Sequence, residues 1–119
     1  HVFYTFPIIL DPIVLGLDRE KIVDALSAEG VKGIEGGYAN VHLLPMFQKK
    51  IAMGHKGFPW SYNESRKDVN YSKGICPIAE RYHDSIFLNL ELAELSLDLD
   101  EIHMIVAAFR KVWKQLDKL

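Results

Sequence analysis

Cysteine is nearly absent from this chain: Cys76 is alone among 119 residues. One thiol forms no internal disulfide, so a reducing, cytoplasmic compartment is the default expectation. An excess of charge is missing too. The net charge of −2 argues against the basic excess that binding a nucleic-acid backbone calls for. No apolar run approaches the roughly 18 residues of a membrane span. The opening stretch, HVFYTFPIIL, lacks the basic segment and small-residue cleavage site of a secretory signal. The five histidines show no HxH, HxxxH or HExxH spacing and no cysteine pair joins them, so no metal is expected. GIEGG is neither a GxGxxG turn nor a P-loop, so no phosphate cradle is expected. No repeat and no low-complexity segment appears. An initiator methionine is also missing, and His1 leads straight into an apolar run. That start raises the expectation of a piece cut from a longer protein, spanning residues 1–119 as one domain.

What is present suits a folded chain. Apolar residues make up 49% and charged residues 25%, enough for one core. VFYTFPIIL, residues 2–10, is β-rich with apolar residues on both alternating faces. A strand with one wet face alternates polar and apolar, so this pattern predicts cover on both sides. Pro7 cannot donate to a ladder and predicts a sheet edge or a strand end. DPIVLGL reads as a connection. Asp18 then caps a helix over residues 19–29, with Ile22, Val23 and Leu26 inward and Gly30 as its stop. VKGIEGGYAN, residues 31–40, reads as a short strand interrupted by glycines, which mark a bulge or a close approach by another backbone or a ligand. A short helix is expected within residues 43–53, with Pro45 in its first turn.

Residues 54–75 show no periodicity. They combine turn formers with Phe58, Trp60, Tyr62 and Tyr71, and an aromatic loop of that length is commonly functional. Pro77 opens a short helix over PIAERYHD, followed by a strand at residues 86–90. Asp98 and Glu101 have capping-box spacing before a last helix running to about residue 118. Its apolar positions (Ile102, Ile105, Val106, Phe109, Val112, Trp113, Leu116) form one helical stripe. Together these elements predict an α+β fold. A small, mostly antiparallel sheet of about three strands would carry helices packed largely on one face.

Few residues point to chemistry. His83 and His103 fall on predicted helices and read as solvated or core-edge rings. Cys76 precedes a helix start, where the dipole favours a thiolate, so a cysteine-dependent enzyme is one alternative. Tyr38 and His42 are a phenol and an imidazole on a glycine-loosened segment. They read either as rings satisfied by local backbone or as hydrogen-bonding partners of a polar ligand.

One resemblance extends these readings. The runs FPIIL, GLDREKIVDALSAEGV, GGYANVHLLPMFQKK, KGFPWS, CPIAERYHDSIFLNLEL and IVAAFRKVW resemble the C-terminal part of the DegT/DnrJ/StrS nucleotide-sugar aminotransferases, which share the aspartate-aminotransferase fold. The most specific pieces are the AEG helix end leading to a tyrosine and histidine before LLPMF, and CPIAERYH before an apolar strand. The resemblance implies the small domain of a cytoplasmic pyridoxal-phosphate enzyme of cell-surface polysaccharide biosynthesis. Such enzymes move an amino group from glutamate or glutamine to a keto-sugar nucleotide or a keto-cyclitol. It implies that the Schiff-base lysine lies outside this chain, so the chain alone binds no cofactor and does not transaminate. It implies that His42, with Tyr38 near it, contacts the sugar or its diphosphate. The loop around Phe58, Trp60 and Tyr62 would form a substrate wall, with Arg66 and Arg81 as candidates for the donor carboxylate. The missing large domain would cover one face of the first strand. Without it the exposed apolar surface predicts self-association, and the intact enzyme is expected to be a dimer. The competing reading is a stand-alone ligand-binding or protein-interaction domain without catalysis.

Overall fold

In the computed structural model, residues 4–62, 68–92 and 95–119 are described. The chain forms an α+β fold whose one sheet has three antiparallel strands. It divides into two compact units, one built from residues 1–38 and 82–119 and the other from residues 39–81.

The first unit carries the sheet, in the order β1-β3-β2. The strands are β1 (Phe6–Ile9), β2 (Ile34–Gly36) and β3 (Phe87–Leu90). Phe6 lies opposite Leu90 and Ile9 opposite Phe87, while Ile34 shares Leu90 from the other side. Pro7 sits on edge strand β1, as its missing N–H requires. The central strand is the most buried: Leu88 is 0% exposed, and Leu90 is also buried.

Two long helices supply the layer above. They are α2 (Arg19–Ala28) and α5 (Leu99–Trp113). Ile22 and Leu26 of α2, Ala108 and Val112 of α5, and Ile34, Leu88 and Leu90 of the sheet form one core, with Leu10 and Val31 at its margin. The start of α5 is the expected capping box. Asp98 accepts from the Glu101 N–H at 2.9 Å, and Glu101 accepts from the Asp98 N–H at 2.9 Å. Asp18, at the N-cap of α2, makes no side-chain cap bond.

Several boundaries differ from expectation, each for a local reason. Among the described residues the first strand is Phe6–Ile9, and Val2 and Phe3 of the expected strand lie outside them. The connection after it holds a one-turn helix, α1 (Pro12–Leu15), which Asp11 caps through the Ile13 N–H and Gly16 closes at φ 65°. The glycine-interrupted stretch is strand only at Ile34–Gly36. It ends because Gly37 turns to φ 80° against His83. The last helix stops at Trp113, and residues 116–118 form a 3₁₀ turn.

The first strand is also less covered than its pattern predicts. Ile9 and Phe6 stay partly exposed. On the helix side, Phe6, Ile8 and Leu90 line an apolar cleft of about 580 Å³, faced by Ile102, Ile105 and Phe109 of α5.

The second unit has little regular structure. It contains a 3₁₀ turn (Val41–Leu43), α3 (Pro45–Gln48) and α4 (Pro77–Arg81). The helix expected within residues 43–53 is one turn long. Pro45 starts it, and Lys50 at φ 51° leaves the helical region. Beyond α4, residues Tyr82–Ile86 form a π-helical turn that belongs to the first unit.

Candidate functional site

His42 lies in the 3₁₀ turn of the second unit, fixed there by the proline-started helix that follows. Its Nε2 is 2.8 Å from Oε1 of Glu80 on α4. Both side chains are largely withdrawn from solvent, at 10% and 8% exposure. Glu80 gathers further donors. The Gly74 N–H approaches both carboxylate oxygens at 2.8 Å, and the Cys76 N–H approaches Oε1 at 3.3 Å. Burial opposes ionisation of this carboxyl. The Gly74 amide, the His42 ring and the Cys76 amide outweigh it and hold the group below the usual carboxylate range.

Gln48 connects this pair to an aromatic cluster. Its side-chain amide donates to the carbonyl of His42 at 2.8 Å and to that of Tyr71 at 2.6 Å. The Tyr71 hydroxyl accepts the indole N–H of Trp60 at 3.0 Å. Phe47 packs against Trp60 and Tyr71, at centroid separations of 6.0 and 5.2 Å. Trp60 is only 6% exposed and acts as the anchor of its unit. The accessible aromatic surface nearby comes from Phe58 and Tyr62, whose rings lie 6.1 Å apart.

Tyr38 belongs to the sheet unit and is 57% exposed. Its backbone N–H donates to Nδ1 of His83 at 3.1 Å, so His83 is a half-buried acceptor at the core edge. Next to it, Arg19 is buried against the π-helical turn. Its Nη1 donates to the carbonyls of His83 at 2.7 Å and Phe87 at 3.1 Å, and its Nε donates to Glu20 at 3.1 Å. The hydrogen bond from Arg19 holds the Glu20 carboxyl below its usual range, against a smaller opposing effect of burial. Of the glycines expected to mark a bulge or a close approach by another backbone or a ligand, Gly37 meets a backbone, whereas Gly36 meets the side chain of Arg19. A Cβ at Gly36 would lie 2.6 Å from Nε of Arg19, and one at Gly37 would lie 2.7 Å from the His83 carbonyl.

Of the residues singled out in the sequence, His42 and Trp60 therefore share one unit and are joined through Gln48 and Tyr71. Tyr38 lies in the other unit. Arg66 falls outside the described residues, and Arg81 is exposed on α4. Cys76 is free and half-buried. Among the described residues, no group of three or more His, Cys, Asp or Glu is placed to hold a metal, and no helix is long and apolar enough to cross a membrane.

Sequence reasoning missed Glu80, Gln48 and Arg19. The signal for Glu80 was weak: an acid in the first turn of a proline-started helix, one residue later than a capping box would place it. Arg19 had an indirect signal in Gly36, since a missing Cβ leaves room for a large neighbour.

Comparisons with protein-family models, curated proteins and solved structures find no match for this chain.

Proposed function

We propose that this chain is the substrate-covering, C-terminal part of a pyridoxal-phosphate aminotransferase that acts on a keto-sugar nucleotide or keto-cyclitol. Glutamate or glutamine is the proposed amino donor, and the cytoplasm the proposed compartment. One observation carries the reading. The two stretches with the most specific family resemblance, GGYANVHLLPMF and CPIAERYH, meet in space through the His42–Glu80 hydrogen bond. Within the sheet unit a second link, from Tyr38 N–H to His83, joins the same two stretches.

The described residues offer the cofactor no activated amine. Among the described residues no lysine is buried, whereas an amine nucleophile is activated by desolvation or a neighbouring cation. When bound, pyridoxal phosphate supplies the electron sink for amino transfer. In this reading its lysine and most of its phosphate contacts come from a large domain outside these residues. The part played here is recognition. In the unit of residues 39–81, His42 offers a held imidazole, and Phe58 and Tyr62 an apolar wall against which a sugar ring or base can pack. A homodimer is the proposed assembly.

The test is to express the complete reading frame that encodes this chain. A large α/β domain upstream and the visible absorbance of a lysine-bound cofactor are the expected results. A reading frame that opens near His1 would instead establish the stand-alone binding domain.

A further inference from the structure

We infer that His83 is an acid-released clasp: its neutral ring holds the Tyr38 N–H where the chain leaves the sheet unit, and protonation of the ring lets that segment go. A backbone amide only donates, so the Nδ1 that stands 3.1 Å from the Tyr38 nitrogen must accept through its lone pair. A protonated imidazole carries hydrogen on both nitrogens, which turns this contact from attraction into repulsion. Histidine is the side chain that makes this change within roughly pH 5–8. The clasp depends on no reading of function.

Its place in the chain gives the contact leverage. Tyr38 is the last residue of the sheet unit before the chain departs at residue 39, and His83 comes one residue after the return at residue 82. Within that one unit, the outgoing segment is thus tied to the returning one. Gly37 is fixed separately, through its N–H on the Phe87 carbonyl at 2.8 Å. Its φ of 80° and missing side chain let the His83 ring come close, since a Cβ there would lie 3.0 Å from Nδ1. The ring itself is presented by the π-helical turn Tyr82–Ile86, whose carbonyls Arg19 holds, at 2.7 Å for His83 and 3.4 Å for Asp84. The charged groups around the turn are few. From α2 come Arg19 and its partner Glu20, and the turn itself carries Asp84. On β2, Gly36 faces Arg19, so its neighbour Glu35 lies on the opposite face of the strand. β3 (Phe87–Leu90) carries no charge, and Tyr38 brings a phenol. No described carboxylate hydrogen-bonds the His83 ring. A proton gained there arrives beside a guanidinium, with no acid on the ring to keep the clasp shut.

The test is a pH titration of the labelled 119-residue chain by ¹H–¹⁵N and ¹H–¹³C correlation. As pH falls, the Tyr38 amide is expected to shift with the same midpoint as the ring C–H of His83. Its hydrogen-exchange protection, corrected for the intrinsic rate at each pH, is expected to fall roughly tenfold, the loss of one good hydrogen bond. His83→Asn puts an amide oxygen near the position of Nδ1 and does not titrate, so Tyr38 should stay protected across the range. A Tyr38 amide that is unmoved while the His83 ring titrates overturns the clasp. So does a Tyr38 transition that keeps its midpoint in His83→Asn, since another group must then drive it. Should His83→Asn fail to fold, the two midpoints in the native chain decide alone: coincidence supports the clasp and divergence refutes it.

Discussion

The two units of this molecule are stabilised by different physics. The sheet unit buries a continuous set of aliphatic side chains between β3, α2 and α5. Among the described residues of the unit 39–81, Trp60 is the one buried apolar side chain. Its order comes from directed contacts instead: His42 on Glu80, Gln48 on two carbonyls, Trp60 on Tyr71. Burial is tolerant of detail, whereas a hydrogen-bond network fails when one member is lost. A scaffold needs the first property. A recognition surface, where rings must be aimed, needs the second.

The largest blow to this contrast comes from the core. Leu88→Ala removes a fully buried side chain from the central strand. It should cost about 3 kcal/mol by urea denaturation, as large-to-small core changes do. A loss under about 1 kcal/mol would mean that the sheet unit is not held by burial. Arg19→Met comes next, because it leaves the His83 and Phe87 carbonyls without their charged donor. A loss of about 2 kcal/mol is expected, and the same substitution should release the Tyr38–His83 contact, visible as a shift of the Tyr38 amide.

Acid should weaken the polar unit. Glu80 is depressed below its unfolded value, so its contribution is complete above the ordinary carboxylate range. It is lost as pH falls from that range through the lower folded value. Trp60 fluorescence, read in a Trp113→Phe background, should therefore report an acid transition of the 39–81 unit. Glu80→Gln should flatten that transition, and an identical acid profile in both proteins would contradict the role of the carboxylate. The smallest effect belongs to the surface. Lys111 pairs with Glu29 at 2.6 Å but is exposed, so Lys111→Ala should change stability by less than about 0.5 kcal/mol.

The same contrast decides how much could be read in advance. The stripe from Ile102 to Val112 and the Asp98–Glu101 cap made α5 legible, because periodicity and capping are local rules. The α+β class followed from the element order. The shortness of β2 was not legible, since it ends where Gly37 meets His83, far away in sequence. Glu80 was hidden for the same reason: its partners Gly74 and Cys76 are near, but the group that gives it meaning, His42, is 38 residues away. Hydrogen-bond networks carry no period, so residues 54–75 of this unit read in the sequence only as an aromatic loop.

The apolar surface left on the sheet unit bears on assembly. Ile13, Val14 and Leu99 are exposed, and the cleft beside β1 is open. Sedimentation equilibrium of the 119-residue chain should show concentration-dependent association. A clean monomer at high concentration would mean that this surface is not a site of self-association.

The most direct test of the recognition role is kinetic. In the aminotransferase that the proposed function calls for, His42→Ala should raise KM for the proposed nucleotide-sugar or cyclitol substrate, while the rate of the half-reaction with the amino donor stays as it was. A His42→Ala enzyme whose sugar KM equals that of the native protein would contradict the account.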